Sequence, residues 1–318
     1  MEANNILSIV VPTYNRAEFL DYSLEVHIPM VREFGIEICI FDNASTDHTE
    51  EIVSKWMKEY PLLSYHKNET NLGPDANFEK ALKYPQSEYV WLLGDTYQIQ
   101  VDTFKKVVDI INLDQFDHIL VNVGHEVKDV PSQIYQDQNQ LLNDLFWLMT
   151  CLSVHIYKKS LITSANFGRF KNSNFIQTGI IFEYISNVEF KAYWCQEHSV
   201  ERLSVLGRTK KDTWINNFFE IWLKNRINVI MALPPSYSLE IKLKSIRYDG
   251  YDRKQLTIKK LLHFRSMNLL NYAVYKEYEH ILPLVVPYSK YIILLISLLP
   301  IKTYNFLRFF WRFLKRNQ

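Results

Sequence analysis

A chain of 318 residues, 47% hydrophobic and 22% charged, can bury a core as one large domain or two smaller ones. Its 8 glycines form no G-x-G-x-x-G or G-x-x-x-x-G-K-[ST] run, so nothing indicates a glycine loop cradling phosphates, and a nicotinamide oxidoreductase is disfavoured. The net charge of +1 hides an acidic front (15 basic and 28 acidic residues before Arg202) and a basic rear (21 and 7 from there on).

Residues 6–11 form an apolar run that predicts a buried strand, closed at Pro12 because proline cannot donate to a ladder. A helix is expected next, broken near Pro29. Residues 36–41 are a second strand, which runs straight into Asp42-Asn43-Ala44-Ser45-Thr46-Asp47. Asp47 and Glu50 have capping-box spacing, so Asp47 reads as the start of a helix; Asp42, at the strand end, has no such explanation. A weaker strand at 62–66 leads to a polar stretch, and Pro74 suits the first turn of a helix reaching about residue 84.

Residues 89–93 are a third buried run, stopped by Gly94 and followed at once by Asp95. In a parallel sheet, ligands sit beyond the carboxyl ends of the strands, so this carboxylate faces the expected site. A helix over 101–113 buries Phe104, Val107, Val108 and Ile111, and residues 118–123 are another strand. Strand and helix alternating from 6 to 123 predict an α/β fold with a doubly wound, mostly parallel sheet.

From 124 to 200 the pattern loosens, with strands expected at 151–157 and 188–194 and a helix, or a strand and helix, at 175–186. His155 and His198 lack partners at metal spacing and read as ordinary core or surface histidines. Cys39, Cys151 and Cys195 are odd in number and far apart, as reduced thiols of a cytoplasmic protein would be. The polar opening residues predict no secretory signal.

From Asp212 the chain reads as helical, with Ile215, Phe218, Phe219 and Trp222 on one face. Residues 281–301 are apolar but carry Pro283, Pro287, Lys290 and Pro300, so the unbroken part is too short for a span of about 20 residues. The tail, 302–318, sets Arg308, Arg312 and Lys315 or Arg316 on one helical face against Phe306, Phe309, Phe310 and Phe313. That pattern suits an anionic membrane surface, or a helix laid on the domain or on a second copy. The expected division is 1–205 for a catalytic domain and 206–318 for a helical region, with the membrane-associating tail from about 281.

IVVPTYNR, FDNASTD, NLGPDANF and YVWLLGDT, in this order and spacing, resemble family 2 glycosyltransferases of the GT-A fold. The likeness covers about residues 6–125 and extends more softly to about 200. WLLGD and LSVHIYKKSL look closest to the branch that makes bacterial surface polysaccharides, with its abequosyltransferase-like members. The resemblance implies that Pro12, Thr13, Asn15 and Arg16 wrap a nucleotide and that Asp42 bonds a uracil ring. Asn43 stands where the family has a second Asp, while Asn71 and Gly73 match a loop near the base and ribose. Gly94, Asp95 and Thr96 lie in the acidic motif, where Asp95 would ligate Mg²⁺ or Mn²⁺. Close relatives read G-D-D-D there, so two carboxylates are missing. The position of the family's catalytic base falls on Gln177 and Thr178, and the nearest carboxylate is Glu183.

The resemblance thus implies an inverting transferase moving a sugar from a nucleotide donor, UDP-linked by this reading, to a lipid-linked or polysaccharide acceptor. Lipopolysaccharide, O-antigen and capsule are products of that kind. The enzyme would work on the cytoplasmic face of the membrane, with no nucleic-acid partner and with self-association left open. The alternative is an inactive relative that binds sugar nucleotide or glycan as a partner protein.

Overall fold

The computed structural model describes residues 4–204, 213–247 and 256–302. Two compact units emerge, Met1–Lys211 with Leu233–Ser238, and Asp212–Ala232 with Leu239–Gln318.

The first unit is an α/β structure. Its elements in chain order are β1 (Leu7–Thr13), α1 (Ala17–Arg32), β2 (Glu37–Asp42), α2 (Thr49–Glu59), β3 (Leu63–Lys67), α3 (Pro74–Lys83), β4 (Tyr89–Leu92) and β5 (Tyr97–Ile99). There follow α4 (Val101–Ile111), β6 (His118–Val123), β7 (Gln133–Tyr135), α5 (Gln138–Met149), β8 (His155–Lys158), α6 (Lys159–Ser164), α7 (Ile176–Ile185) and β9 (Ala192–Arg202). β1 and β4 are buried along their whole length, as continuous apolar runs covered on both faces should be.

The strands lie in the order β3-β2-β1-β4-β8-β6-β9-β5, with β7 also paired to β9. β3, β2, β1 and β4 run parallel, β8 is antiparallel to β4 and β6, and β9 is parallel to β6. The chain builds outward from β1 to β2 and β3, then returns to place β4 on the other side of β1. The loops after β1 and β4 therefore open a crevice between them, the topological switch point where open α/β sheets bind ligands.

Two prolines behave differently from the sequence reading. β1 continues through Pro12 to Thr13. The Leu93 amide donates to Val10 O, which places Val10 and, two residues on, Pro12 toward β4. β4 ends at Leu92, so the donor that Pro12 lacks has no strand to meet. Pro29 sits inside α1 rather than breaking it. It falls in the last turn, where it costs one intrahelical bond, and Ile28, Met30 and Val31 stay buried around it.

In the less regular stretch, a 3₁₀ turn at Leu152–Val154 precedes β8, and the last strand starts at Ala192 rather than at 188. The short strands β5 and β7 and the helix α5, which Asp137 caps through the amides of Asn139 and Gln140, went unforeseen.

In the second unit, a π-helical stretch at Phe219–Asn225 leads into the helix Arg226–Ala232. Phe218 and Phe219 are buried against Phe264, and Ile215 and Trp222 lie at the edge of that face. Buried Arg226 donates to the carbonyls of Ser245 and Ile246 at the end of the helix Leu239–Ile246, where a cation also complements the helix dipole. Among the described residues no helix is long and apolar enough to cross a membrane. Asp212 and residues 303–318 of the tail lie outside the described residues.

Candidate functional site

Thr13, Arg16 and Asp95 meet at the crevice between β1 and β4. Thr13 Oγ1 donates to Asp95 Oδ2 at 2.8 Å, and Arg16 Nη1 donates to Asp95 Oδ1 at 2.9 Å. Asp95 is 4% exposed and Arg16 remains about a quarter exposed, so the pair carries charge to the edge of the crevice. Gly94 sets the turn before Asp95: its amide donates to Ser153 Oγ, and a Cβ there would lie 3.2 Å from both Ser153 Oγ and the Tyr97 ring. Thr96, beside it, is half-buried.

The loops after β1 and β2 are laced together by short polar side chains. Asn15 adopts φ 52°, a left-handed conformation that asparagine tolerates, and its Oδ1 accepts from the amides of Thr46 and Asp47. Asp47 accepts from the amide and hydroxyl of Thr49 at the start of α2 and from the Ala17 amide at the start of α1. Burial works against its charge, but the bonds from Thr49 and Ala17 prevail and hold the carboxyl below its usual range. Asp47 thus closes two helix starts, whereas Glu50 turns away to pair with Lys67.

Asp42 is fully buried, accepting from the Ser45 amide at 2.8 Å and from the Tyr65 hydroxyl at 2.6 Å. Burial first, and then this bond to Asp42, push the Tyr65 phenol well above its usual range. Asn43 takes the place of a carboxylate with an amide that holds the next loop. It donates to Asn71 Oδ1 and Gly73 O and accepts from Asn68 Nδ2 and the Leu72 amide. Only an amide both gives and takes in this way. Gly73 then turns into α3 with φ 80°, a conformation that favours glycine.

Pro12, Thr13, Asn15, Arg16, Asp42, Asn43, Asn71, Gly73, Gly94, Asp95 and Thr96 therefore lie on the loops and strand ends of one edge. Glu183 does not join them. It pairs with Arg169 at 3.1 Å, and its neighbour Tyr184 reaches Asp117, just ahead of β6, at the opposite end of the sheet. Gln177 and Thr178 sit six and five residues earlier in α7, where Thr178 donates to Met149 O and Gln177 to Thr150 O.

Four contributors escaped the sequence reading. Tyr65 looked like a strand residue, and Asn68 and Asn77 like loop and helix polar positions, yet Asn77 donates to Phe41 O and holds Asn68 beneath Asn43. Asp75 stands in the first turn of α3, after Pro74. It is buried at 4% exposure and accepts from the Asn174 amide, 99 residues away, on the loop that leads into α7. Burial raises its carboxyl above the usual range although further amides of that loop face it. Nothing local in the sequence signals a pairing over that distance.

A groove of about 590 Å³ beside α3 and β3 is lined by Phe41, His66, Lys67, Lys80, Lys83 and Tyr84, among others. Asp42, Asn43 and Asp95 do not line it.

The described residues do not fit a divalent cation. No three of their His, Cys, Asp and Glu side chains gather into a ligand set. Asp95 is the lone carboxylate at its turn, and a guanidinium already lies on one of its oxygens. Mg²⁺ and Mn²⁺ prefer several hard oxygen ligands.

The family model for Glycosyl transferase family 2 matches residues 8–183. Abequosyltransferase RfbV of Salmonella typhimurium is 39% identical over 101 residues, which are 31% of this chain and 30% of that protein. The chain thus matches less than a third of that relative's length. Among solved structures, Staphylococcus aureus TarS 1-349 in complex with UDP has a TM-score of 0.57 at 17% identity, covering 88% of this chain and 83% of its own. The mannosyltransferase PcManGT of Pyrobaculum calidifontis, in complex with GDP-Man and Mn²⁺, has a TM-score of 0.51 at 13% identity, covering 92% of this chain and 85% of its own. At these identities the likeness is one of fold, a mixed α/β sheet followed by helices. With more than half of its residues under the family model, the chain belongs to glycosyl transferase family 2.

Proposed function

We propose that the chain transfers a sugar from a nucleotide donor, UDP-linked by our reading, to a glycan acceptor in bacterial surface polysaccharide synthesis. The observation that carries this is the meeting of Thr13, Arg16 and Asp95 at the switch point between β1 and β4, beside the strand end that bears Asp42. The nucleoside would lie over the loops held by Asp42 and Asn43, with the diphosphate toward Arg16. An acceptor hydroxyl then attacks the anomeric carbon in one displacement, inverting it and giving its proton to a general base, while the bond from that carbon to the phosphate oxygen breaks and the departing nucleoside diphosphate carries away negative charge that Arg16 faces. The solved neighbour bound to UDP and the relative named for abequosyl transfer support the donor class and the kind of product.

The basic rear of the chain and its aromatic tail suit work at an anionic membrane surface on a lipid-linked acceptor. A partner protein that binds a donor without turnover is the second reading, favoured by the engagement of both Asp95 oxygens.

A thermal-shift panel of UDP-, GDP-, dTDP- and CDP-sugars tests the donor assignment. A donor at 100 times its dissociation constant adds about 2.7 kcal/mol of stability, which moves the melting temperature by several degrees. No shift with any of the four classes would overturn the proposal.

A further inference from the structure

We infer that the donor diphosphate is met here by the guanidinium groups of Arg16 and Arg202 in place of a divalent cation. This rests on the donor site proposed above and assigns its charge.

Three features of the site lead to it. Asp95 presents one oxygen to the Thr13 hydroxyl and the other to Arg16, so a metal ion on this carboxylate would lie against a positive group. The positions that follow it supply no second acid, being Thr96 with a neutral hydroxyl and Tyr97 with a ring.

Tyr97 instead brings in a second cation. The Tyr97 amide bonds back to Gly94 O, so β5 starts directly from the turn that carries Asp95. In the antiparallel β5–β9 pair Tyr97 lies opposite Arg202, whose guanidinium carbon stands 5.8 Å from the ring centroid. That is within cation–π range. Leu203 N on Thr96 O continues the pairing, so the arginine is fixed by the same ladder that fixes the turn.

The other device for holding phosphate is already taken. The start of α1, which follows β1 into the crevice, has its Ala17 amide bonded to Asp47. A carboxylate there answers the helix dipole that would otherwise attract an anion. Guanidinium is suited to the vacated task, since its planar fork matches phosphate oxygens and it stays charged at any working pH.

The test is calorimetric titration of the full chain with UDP, GDP, dTDP and CDP, each in EDTA and in Mn²⁺. Whichever nucleotide binds is expected to do so with affinities within about twofold in the two buffers, and Arg16→Ala and Arg202→Ala each to weaken it about tenfold or more. Arg16→Ala leaves Asp95 short of a partner. Arg16→Lys, which keeps the charge and loses the fork, therefore serves as its folded companion, with an expected loss between wild type and the alanine variant. In parallel, adding protein to nucleotide and Mn²⁺ should leave the electron paramagnetic resonance signal of free Mn²⁺ undiminished, since nucleotide taken up without metal gives back the ion it chelated. Affinity falling by about tenfold or more in EDTA, or quenching of the Mn²⁺ signal by protein, would overturn the inference and leave the donor site standing. Unchanged affinity in both Arg202→Ala and Arg16→Lys would also overturn it. Absence of binding by all four nucleotides in both buffers would instead remove the donor site, and this inference with it.

Discussion

Asp42 is held from two sides, by the Ser45 amide and the Tyr65 hydroxyl, and that hold fixes where its remaining lone pairs point. If they meet the ring N–H of a uracil, Asp42→Ala weakens UDP binding by roughly 1–3 kcal/mol, the cost of an unpaired polar partner. Tyr65→Phe removes one support and keeps the carboxylate, so a smaller loss is expected there. Calorimetry on both variants reads the difference, and full UDP affinity in a folded Asp42→Ala variant would take Asp42 out of the site. Histidines make a separate prediction. Burial lowers His27 and His155 to about 4, against the ordinary 6.5, and lowers His118, which stands against His155, as well. The unfolded chain takes up these protons near pH 6.5, whereas the folded chain resists until about 4. Stability is therefore full above pH 6.5 and falls as the pH drops from there toward 4. The urea midpoint should decline steadily over that window, and a flat midpoint would show that the three rings are not held neutral. At this scale the positions of Asp42 and Asp95 were legible because Asp42 follows directly on an apolar run and Asp95 follows one after a single glycine. Tyr65 and Asp75 were not, since their partners come from distant parts of the chain.

Among the elements, β1 to β4 and α1 to α4 followed from apolar runs and from helical spacing, as in α4, whose Phe104, Val107, Val108 and Ile111 are all buried. Pro12 and Pro29 misled because a proline's cost depends on whether the missing donor has a partner to lose. That is a property of the neighbouring strand or turn. β5 and β7 have three residues each, too few for any period to show, and they exist because β9 offers them an edge. Helix α7 allows a sharp test. It is buried along most of its length, and a Cβ on Gly179 would lie 2.4 Å from the ring of buried Phe170. Gly179→Ala is expected to destabilise the chain by about 1–3 kcal/mol, since Phe170 must move within a filled core. Denaturant unfolding measures this, and a variant as stable as wild type would mean that Phe170 is not held against α7.

For the whole molecule, the opposition of an acidic front and a basic rear was plain in the sequence, as was the family likeness of the first 125 residues. The missing carboxylates of the acidic motif were plain too. What answers them, Arg16 on Asp95 and Arg202 on Tyr97, depends on sheet pairings that join residues far apart in the chain. The tail makes the prediction that belongs here. Five basic residues lie in 302–318 without an acid, and each near an anionic surface contributes about 1 kcal/mol, screened by salt. Removing 303–318, which takes four of the five, should shift the chain from the pellet to the supernatant of phosphatidylserine vesicles. Salt should do the same to the full chain, and a truncated chain that still pellets would place the anchor elsewhere. The central claim is turnover of a nucleotide donor at the β1–β4 crevice. Its most direct measurement is release of free nucleoside diphosphate from UDP-, GDP-, dTDP- and CDP-sugars by wild type and by Asp95→Asn, at matched melting temperature. We expect release from one donor class by wild type, falling by about a hundredfold or more in Asp95→Asn as Thr13 and Arg16 lose their shared anion. Equal release by the two proteins, or none from any donor by the folded wild type, would contradict the account.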